Sequence, residues 1–484
     1  MRNYENTNGP ILRAAVRRCA LRGSAVIALI LLMLGRPAGA VQNYKMRIAV
    51  AEGVSSGRLI GLGISLSDAK GVRVSVQNGA SVAASGAGVK VGGQALALPV
   101  GVTAKSGLGW DGTRYRGVLS LIPAGKGFTV VDEVDLESYI RGILKVEMSP
   151  EWNIEALKAQ AILARTYAVK NRGRFGSRGY DLDATDNSQV YRGVNAEDPR
   201  TDMAVAETGG MILSWNGAPA DIYYHSDSGG FTADMAHVWG GGRPYLVAKQ
   251  EIVGYASPNS TWQLSLTGEQ IASILGRMGR PVGRVRSVEV SLKDAAGRAV
   301  QLRITGDGGT ADVRAHDFRM AAGSKVVRST FFTVSGGTSS EESTSGRNPA
   351  PPAASGTPAS LTEMASGVDP LVEMTKLGVF SRDELYDMLF KTDDRDGYLR
   401  LGERRLRDRG MSLPGVSGSS PAPPVEKPPR PAADASASDA FVFKGRGWGH
   451  GVGLSQWGAK AMADSGMKCE EILGFYFPGT RIVR

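Results

Sequence analysis

Cysteine is almost absent from the sequence, which has two cysteines among 484 residues. Cys19 precedes an apolar run near the N-terminus, and removal of that segment would leave only Cys469. A single cysteine can form neither an internal disulfide nor a cysteine metal cage. The exported protein therefore depends on its hydrophobic core, and a hydrophobic content of 42% is normal for such a core.

Long hydrophobic runs are also missing, apart from one short stretch. Residues 24–34, SAVIALILLML, are apolar but too short for a stable membrane anchor. Arginines precede this stretch, and Ala38-Gly39-Ala40 follows it, as in a cleavable export signal. The sequence therefore predicts a signal peptide over residues 1–40. It predicts a protein exported to the periplasm, the cell wall or the extracellular space, without a stable membrane anchor after cleavage.

Several common catalytic and phosphate-binding signatures are absent. The glycine-rich stretch around His450 has neither the P-loop spacing nor the Rossmann spacing. Ser226 and Ser228 do not lie in the strand–helix elbow of serine hydrolases. The net charge of +10 suits an anionic partner such as an acidic glycan. Much of that excess lies in the N-terminal segment, however, and no nucleic-acid partner is predicted.

One acidic residue stands in front of the clearest helix pattern. Glu147 lies in VEMSPEW and is followed by NIEALKAQAILARTYAVKNRG. Asn153 suits the N-cap of this helix, and Glu155 suits its first turn. Alanines such as Ala161 and Ala164 form a narrow face that allows close packing. A carboxylate here is a plausible acid–base centre, but the residues alone favour a surface Glu before an ordinary amphipathic helix.

The order of the remaining patterns predicts an α+β fold. Short alternating strand patterns, separated by glycines, fill residues 41–130, and a strand pair is predicted around Gly125-Lys126-Gly127. Residues 200–335 mix helix and strand patterns without a regular βαβ alternation. We therefore predict a mixed, strand-rich domain with one central helix.

A change in composition predicts that this domain, residues 41–335, is interrupted. Residues 336–439 contain two Pro-, Ser- and Gly-rich linkers around a helical island at 361–411. Residues 440–484 then complete the main domain. Because the entropy of loop closure grows only logarithmically with length, the two ends of the insertion are expected to be neighbours in space.

Two polar motifs predict a carbohydrate-binding surface. In IYYHSDSGGFT, His225 ends a strand and is followed by Ser226 and Ser228, and the two glycines let backbone N–H groups face a sugar. In GRGWGHGVGLSQWGAK, His450 and Gln456 lie in a glycine-rich turn that opens a helix. Buried, structural histidines are the alternative interpretation.

Four blocks in this order resemble the SpoIID/LytB family of bacterial cell-wall proteins. They are VEMSPEWNIEALKAQAILARTYAV, YDLDATDNSQVYRG, IYYHSDSGGFT, and GRGWGHGVGLSQWGAKAMADSG with FYFPGT after it. The resemblance covers roughly residues 46–335 and 440–484.

The resemblance implies a secreted lytic transglycosylase, which cuts the N-acetylmuramic acid–N-acetylglucosamine bond of peptidoglycan and leaves a 1,6-anhydro end. Peptide-free glycan strands are the implied substrate. Glu147 would be the single catalytic acid and base, because a hydroxyl of the sugar itself serves as nucleophile and no second carboxylate is needed. The alternative is a non-catalytic cell-wall-binding protein that enhances an N-acetylmuramoyl-L-alanine amidase, as some relatives do.

The predicted substrate-binding residues come from the same blocks. They are Lys158, Arg165, Gln189, Tyr191, His225, Ser226, Ser228, His450 and Gln456. Lys158 and Arg165 lie two helical turns apart on one side, which suits substrate binding and charge balance near Glu147. His225 is expected to orient Glu147 or to share its proton.

No cofactor is expected for catalysis. Some relatives carry a Cys/His cluster in the block where this sequence has Asp183, Asn187 and Ser188. These residue types do not assemble a zinc site, so no zinc is expected.

The island contains TDDRDGYLRLGE, whose spacing is similar to that of a calcium loop. The predicted ligands are Asp394, Asp396, the backbone carbonyl of Tyr398, and Glu403. Thr392 in the first ligand position removes one carboxylate and weakens the site. The pattern predicts either a weak calcium loop or a plain acidic turn between helices.

Overall fold

A computed structural model describes residues 44–336, 403–407 and 440–484. The predicted signal peptide and most of the predicted insertion lie outside the described residues, and so do Asp394, Asp396 and Tyr398. Glu403 is exposed at the start of a short helical segment, residues 403–407. Leu406 of this segment is only 3% exposed and belongs to the main hydrophobic core.

An eleven-stranded, mostly antiparallel sheet forms the first part of the fold. Its strands are β1 (Lys45–Val54), β2 (Ser56–Asp68), β3 (Arg73–Ser85), β4 (Gly88–Val91), β5 (Gln94–Ala97), β6 (Val100–Thr103), β7 (Ser106–Trp110), β8 (Thr113–Arg114), β9 (Val118–Ala124), β10 (Gly127–Asp135) and β11 (Leu182–Asp183). The main path runs β11-β1-β10-β9-β6-β2-β3-β4-β5. The predicted strand pair around Gly125 is confirmed as β9 and β10, which pair from Gly127 and Ala124 onward.

Two helices follow the sheet, α1 (Leu136–Glu147) and α2 (Ile154–Lys170). The Asp135 side chain caps α1 by accepting the N–H of Ser138 at 3.0 Å. The Asn153 side chain caps α2, as predicted, by accepting the N–H of Glu155 at 3.0 Å. Most of α2 is buried, including its alanine face. The helix is therefore central to the fold rather than a surface helix.

A middle segment packs around these helices. It contains α3 (Pro199–Glu207), β12 (Ile212–Trp215), β13 (Ala218–Pro219), β14 (Tyr224–His225) and α4 (Met235–Trp239). Two 3₁₀ turns, Gly176–Arg178 and Gly193–Ala196, lie in the connections. The predicted strand DIYYH is shorter than expected, because only its last two residues join a ladder.

A second hydrophobic core lies in the following segment. Its elements are β15 (Trp262–Thr267), α5 (Gly268–Arg277), β16 (Val285–Lys293), β17 (Ala299–Gly306), β18 (Gly309–Arg314), α6 (Ala315–Ala322) and β19 (Phe332–Gly336). The strands β16, β17 and β18 form one antiparallel sheet.

The C-terminal block completes both cores. It consists of β20 (Ala440–Gly445), β21 (Leu454–Ser455), α7 (Gln456–Asp464), α8 (Cys469–Tyr476) and β22 (Arg481–Val483). Strand β20 lies between β15 and β19, with Phe441 opposite Gly336. Strand β21 pairs with β14, and β22 pairs with β12. The ends of the insertion are thus neighbours, in agreement with the prediction.

The mixture of helices and strands confirms the predicted α+β class. Within the described ranges, no helix is both long and apolar enough to span a bilayer.

Candidate active site

Glu147 is the last residue of α1 and meets two donors from distant parts of the chain. The Tyr224 hydroxyl donates to Glu147 Oε1 at 3.3 Å. The Gln456 side-chain amide donates from Nε2 to Glu147 Oε2 at 3.2 Å. Strand β14 supplies Tyr224 and the first residue of α7 supplies Gln456, so the parallel pairing of β14 with β21 brings both donors to the acid.

The surroundings of Glu147 favour its protonated form. Burial raises the pKa of the carboxyl group, and the hydrogen bonds from Gln456 and Tyr224 lower it by a smaller amount. The C-terminal end of α1 also disfavours negative charge. No charged side chain of the described ranges shifts this pKa. A carboxyl group whose pKa is raised holds its proton to higher pH than usual, which suits general acid catalysis.

Gln189 lies behind the acid rather than on the substrate side. Its side chain is 1% exposed. Its Nε2 donates to the Tyr224 hydroxyl at 3.4 Å, and its Oε1 accepts from the Tyr139 hydroxyl at 3.4 Å. The hydrogen bonds thus form a chain, in which Tyr139 donates to Gln189, Gln189 donates to Tyr224, and Tyr224 donates to Glu147. Gln189 therefore orients the Tyr224 hydroxyl. The predicted contact of Gln189 with substrate is wrong, because its side chain is buried.

Tyr191 and Arg165 are internal residues, so the predicted substrate contacts are wrong for both in this structure. Tyr191 is 2% exposed, and its hydroxyl donates to Asp132 Oδ2 at 2.8 Å. The Arg165 side chain is 0% exposed and forms two parallel bonds to Glu137, at 2.8 and 2.7 Å. Its other N–H groups donate to backbone carbonyls. No donor of Arg165 is left for a ligand.

Lys158 also forms ion pairs within the protein. Its Nζ lies 3.3 Å from Glu155 and 2.5 Å from Glu207. The Lys158 side chain is 19% exposed and therefore accessible only in part. The structure assigns Lys158 to the packing of α2 against α3, in place of the predicted charge balance at Glu147.

His225 and His450 lie together on the other side of β14. His225 is 5% exposed, and its Nδ1 is 3.2 Å from the Val452 carbonyl oxygen. His450 Nδ1 accepts the Val452 N–H at 3.0 Å, and the two imidazole centroids are 5.4 Å apart. Burial lowers the pKa of both rings, that of His450 to about 3. Both are therefore neutral, and the predicted proton sharing between His225 and Glu147 is wrong.

Gly449 permits this histidine pair to form. A Cβ added at Gly449 would lie 2.6 Å from the Cβ of His225, and the residue has a φ of +125°. Gly449 therefore allows the backbone to pass close to His225.

The two predicted serines differ in exposure. Ser228 is 0% exposed, and its hydroxyl lies 3.4 Å from that of Tyr255. This burial excludes the predicted contact of the Ser228 side chain with substrate. Ser226 is half-buried, and its carbonyl accepts the N–H of Trp457 at 3.1 Å. It remains a candidate for substrate contact.

Two tryptophans, one shortly after Glu147 in the sequence and one directly after Gln456, contact each other. Trp152 lies five residues after Glu147, and Trp457 follows Gln456 directly. Their ring centroids are 5.0 Å apart, and both side chains are partly exposed. Aromatic faces of this kind pack against the apolar faces of sugar rings.

Asp183 uses both carboxylate oxygens within its own turn. Oδ1 accepts the N–H of Thr185 at 3.0 Å, and Oδ2 accepts from Asn187 at 3.2 Å and from Ser188 at 3.1 Å. Elsewhere in the described ranges, Glu155, Cys469 and Glu470 approach one another to within 4.8 Å, but Glu155 is already paired with Lys158. The zinc expectation stays a prediction.

Tyr224 is the functional residue that sequence reasoning missed. The sequence analysis selected His225 instead, because it is the more reactive side chain in the same motif. The signal was available, because neighbouring residues of a strand point to opposite faces and only one of the two can meet the acid.

Comparisons with known proteins agree with these motifs. Residues 124–215 match the SpoIID family, described as stage II sporulation protein. The chain is 31% identical over 234 residues to an uncharacterized protein of Brachyspira hyodysenteriae, covering 48% of this chain and 61% of that protein. It is 26% identical over 343 residues to the amidase enhancer of Bacillus subtilis, covering 71% of this chain and 40% of the enhancer.

A third relative is stage II sporulation protein D of Bacillus subtilis, with 30% identity over 161 residues, or 30% of this chain and 47% of that protein. The chain spans less than two thirds of the length of each of these relatives. The matched region includes α1, α2 and Glu147 itself. Residues 124–215 are therefore similar to the SpoIID family, in agreement with the resemblance that the four sequence blocks carry.

Proposed function

We propose that the protein is an exported lytic transglycosylase of peptidoglycan, with Glu147 as its one acid and base. The observation that carries this proposal is the position of Glu147, whose pKa is raised by burial and whose two hydrogen-bond donors are both uncharged. Such a carboxyl group is able to give a proton and then to take one back.

The reaction needs one carboxyl group in two roles. Protonated Glu147 gives its proton to the glycosidic oxygen as the bond from C1 of N-acetylmuramic acid to that oxygen breaks. The carboxylate then removes the proton of the C6 hydroxyl of the same sugar, whose oxygen attacks C1. The products are a 1,6-anhydro end and a free hydroxyl on the leaving sugar, and Glu147 is protonated again.

Tyr224 and Gln456 support the charged intermediate state. Each donates to one carboxylate oxygen, so their bonds strengthen when Glu147 loses its proton. Gln189 helps to orient the Tyr224 hydroxyl by donating to its oxygen. These are positioning roles, since they act on the acid and not on the sugar.

The scarcity of carboxylates favours this reaction over hydrolysis. Hydrolysing glycosidases use a second carboxylate about 5–9.5 Å from the acid. Within the described ranges, no second carboxylate shifts the pKa of Glu147, as a close one would. The sugar's own hydroxyl removes this requirement.

The test is mass analysis of glycan strands digested by the purified protein. Wild type should release 1,6-anhydro ends from peptide-free strands, and Glu147→Gln should release none, because the amide keeps the shape but cannot transfer a proton. Circular dichroism should show the same melting curve for both. Products with a reducing end, or equal turnover by Glu147→Gln, would refute the proposal.

A second candidate function is enhancement of a cell-wall amidase. The similarity to an amidase enhancer, which extends over 71% of this chain, favours it. In this case the protein would bind glycan strands and raise the activity of an added amidase without releasing anhydro ends. Glu147→Gln would then leave the enhancement unchanged.

A further inference from the structure

A groove of about 700 Å³ lies beside strand β20, near Gly445, and no acidic side chain of the described ranges lines it. We call it the Arg446 groove, and the side chains that define it are Trp262, Phe331, Thr333, Lys444 and Arg446. Lys444 and Arg446 are both exposed. In the described part of the chain, neither side chain has a carboxylate partner. Two cations without a counter-charge therefore share this groove.

The Arg446 side chain is held in position without using its N–H groups. Its guanidinium carbon lies 3.9 Å from the centroid of the Phe331 ring. A guanidinium that stacks on an aromatic face keeps its edge free for hydrogen bonds. Arg446 is thus fixed in orientation, which reduces the entropy lost when it binds a ligand.

Trp262 packs on the core face of β20, opposite to the face of Lys444, because Trp262 pairs with Gly445 and Lys444 pairs with Gln263. Its side chain is 7% exposed, and its Nε1–H has no acceptor in the described part of the chain. The indole lies over Gly445, where a Cβ would be 2.3 Å from Trp262 Cζ2.

The donors define the chemical class of the ligand. A guanidinium and an ammonium both donate, and a carboxylate accepts from both, with two parallel bonds to the guanidinium. We infer that the Arg446 groove binds a carboxylate of the cell-wall polymer. This inference rests on the proposed function, because that function supplies the polymer.

A series of contacts connects the groove with the acid. The N–H of Gly447 donates to the Asn259 carbonyl at 2.9 Å, and the Asn259 side chain lies 3.5 Å from Ser226 Oγ. The Ser226 carbonyl accepts the N–H of Trp457, which follows Gln456. The loop after β20 is thus connected with the segments that carry Tyr224 and Gln456, the donors to Glu147, and a polymer strand is the kind of ligand that extends over both.

Two parts of peptidoglycan carry carboxylates. Peptide-free N-acetylmuramic acid has a free lactyl carboxylate, which is masked as an amide when the stem peptide is attached. Stem peptides carry their own carboxylates. Both sources present the same chemistry to Arg446 and Lys444, and they are separable by the choice of ligand.

The test measures binding by calorimetry with the full chain carrying Glu147→Gln, so that no strand is cut. The ligands are peptide-free strands, peptide-bearing strands, isolated stem peptides, and chitooligosaccharides of the same length, which lack the lactyl group. Adding Lys444→Gln and Arg446→Gln should weaken binding of carboxylate-bearing ligands about tenfold or more. Binding of chitooligosaccharides should not change.

A matched control removes the same two charges elsewhere. Arg73→Gln with Lys90→Gln alters two exposed residues of the first sheet, on β3 and β4, and should leave binding within about twofold of the parent, since distant exposed charges are screened by salt. Thr333→Glu is a second test that leaves the Arg446 stacking intact. It should weaken carboxylate binding by placing a like charge in the groove.

The outcomes separate the two carboxylate sources and the two proposals. Loss confined to peptide-free strands identifies the lactyl carboxylate, and loss confined to peptide-bearing strands and free peptides identifies peptide carboxylates. Equal binding by the groove variants and the control would overturn the inference. A wild-type protein that releases no anhydro ends would refute the catalytic proposal alone, because the groove is tested on an inactive variant.

Discussion

Tyr224 and His225 are consecutive residues of β14, yet only Tyr224 contacts the acid. The Tyr224 hydroxyl lies 3.3 Å from Glu147 Oε1, whereas His225 Nδ1 faces the Val452 carbonyl at 3.2 Å. Successive side chains of a strand point to opposite faces. The strand thus separates a side that faces Glu147 from a side on which His225 and His450 pack together.

Tyr224→Phe should slow cleavage and move its pH dependence. The lost hydroxyl stabilised the charged carboxylate, so the pKa of Glu147 rises further. The acid then keeps its proton to higher pH, and the alkaline limb of the rate profile moves upward. The maximal rate should fall on the order of 10²-fold, because the developing carboxylate loses a donor.

The control for this variant is Tyr223→Phe, whose ring packs against Trp239 at 4.7 Å. Release of anhydro ends, measured across pH, should be unchanged in the control. A Tyr224→Phe variant with the wild-type alkaline limb would show that this hydroxyl does not act on Glu147.

Arg165→Ala should reduce stability rather than specific activity, the reverse of what the sequence predicts. The change leaves Glu137 and several carbonyls without their donor inside the protein. Loss of one partner of such a pair costs about 3 kcal/mol of unfolding free energy. Urea denaturation measures the loss, and turnover per folded molecule should be preserved.

The comparison for Arg165→Ala is Arg178→Ala, which removes an exposed pair with Glu52 and should lower the free energy of unfolding far less than Arg165→Ala does. The loss of unfolding free energy in Lys158→Ala should lie between those of the other two variants, because the ion pairs of Lys158 are partly accessible to solvent. A variant of Arg165 with full stability and lost turnover would restore the predicted substrate role.

Deletion of residues 340–436, with a short Gly/Ser link in their place, should preserve the catalytic fold. Phe441 already lies opposite Gly336, so a short connection is able to join β19 to β20. The deletion also removes Leu406 from the main core, at a cost of about 2 kcal/mol. Leu406→Ala in the full chain should show a similar loss. Non-cooperative thermal unfolding of the deletion variant would mean that the insertion is integral to the fold.

The predicted calcium loop is testable in the full chain by calorimetry. Three carboxylates, those of Asp394, Asp396 and Glu403, and the Tyr398 carbonyl support weak binding, with a Kd of about 10⁻⁴–10⁻³ M. Glu403→Gln should abolish the heat of binding. Release of anhydro ends should not depend on calcium, since Glu147 and its donors lie outside the insertion. No heat at millimolar calcium would leave an acidic turn as the better interpretation.

Local signals in the sequence predicted much of the fold. The Asn153 cap and the β9–β10 pair both depend on a few neighbouring residues. Glu147 and Gln456 were both predicted as site residues from the family motifs, and the structure brings them together.

The errors concern residues whose surroundings are set by distant segments. Spacing places Lys158 and Arg165 on one side of α2, but it does not reveal that α3 and α1 cover that side with Glu207 and Glu137. Tyr191 is a similar case, since its partner Asp132 comes from a strand far away in sequence. Burial of this kind depends on tertiary packing, which no local pattern contains.

The position of Gln456 in the C-terminal block has a consequence for the order in which the candidate site is assembled. Gln456 reaches Glu147 from 309 residues further along the chain. Contacts of such separation form late in folding. A chain that leaves the cell from its N-terminus presents Glu147 well before its amide donor arrives. Under the proposed function, the cutting site is therefore assembled only once secretion is nearly complete, which protects the wall next to the export channel.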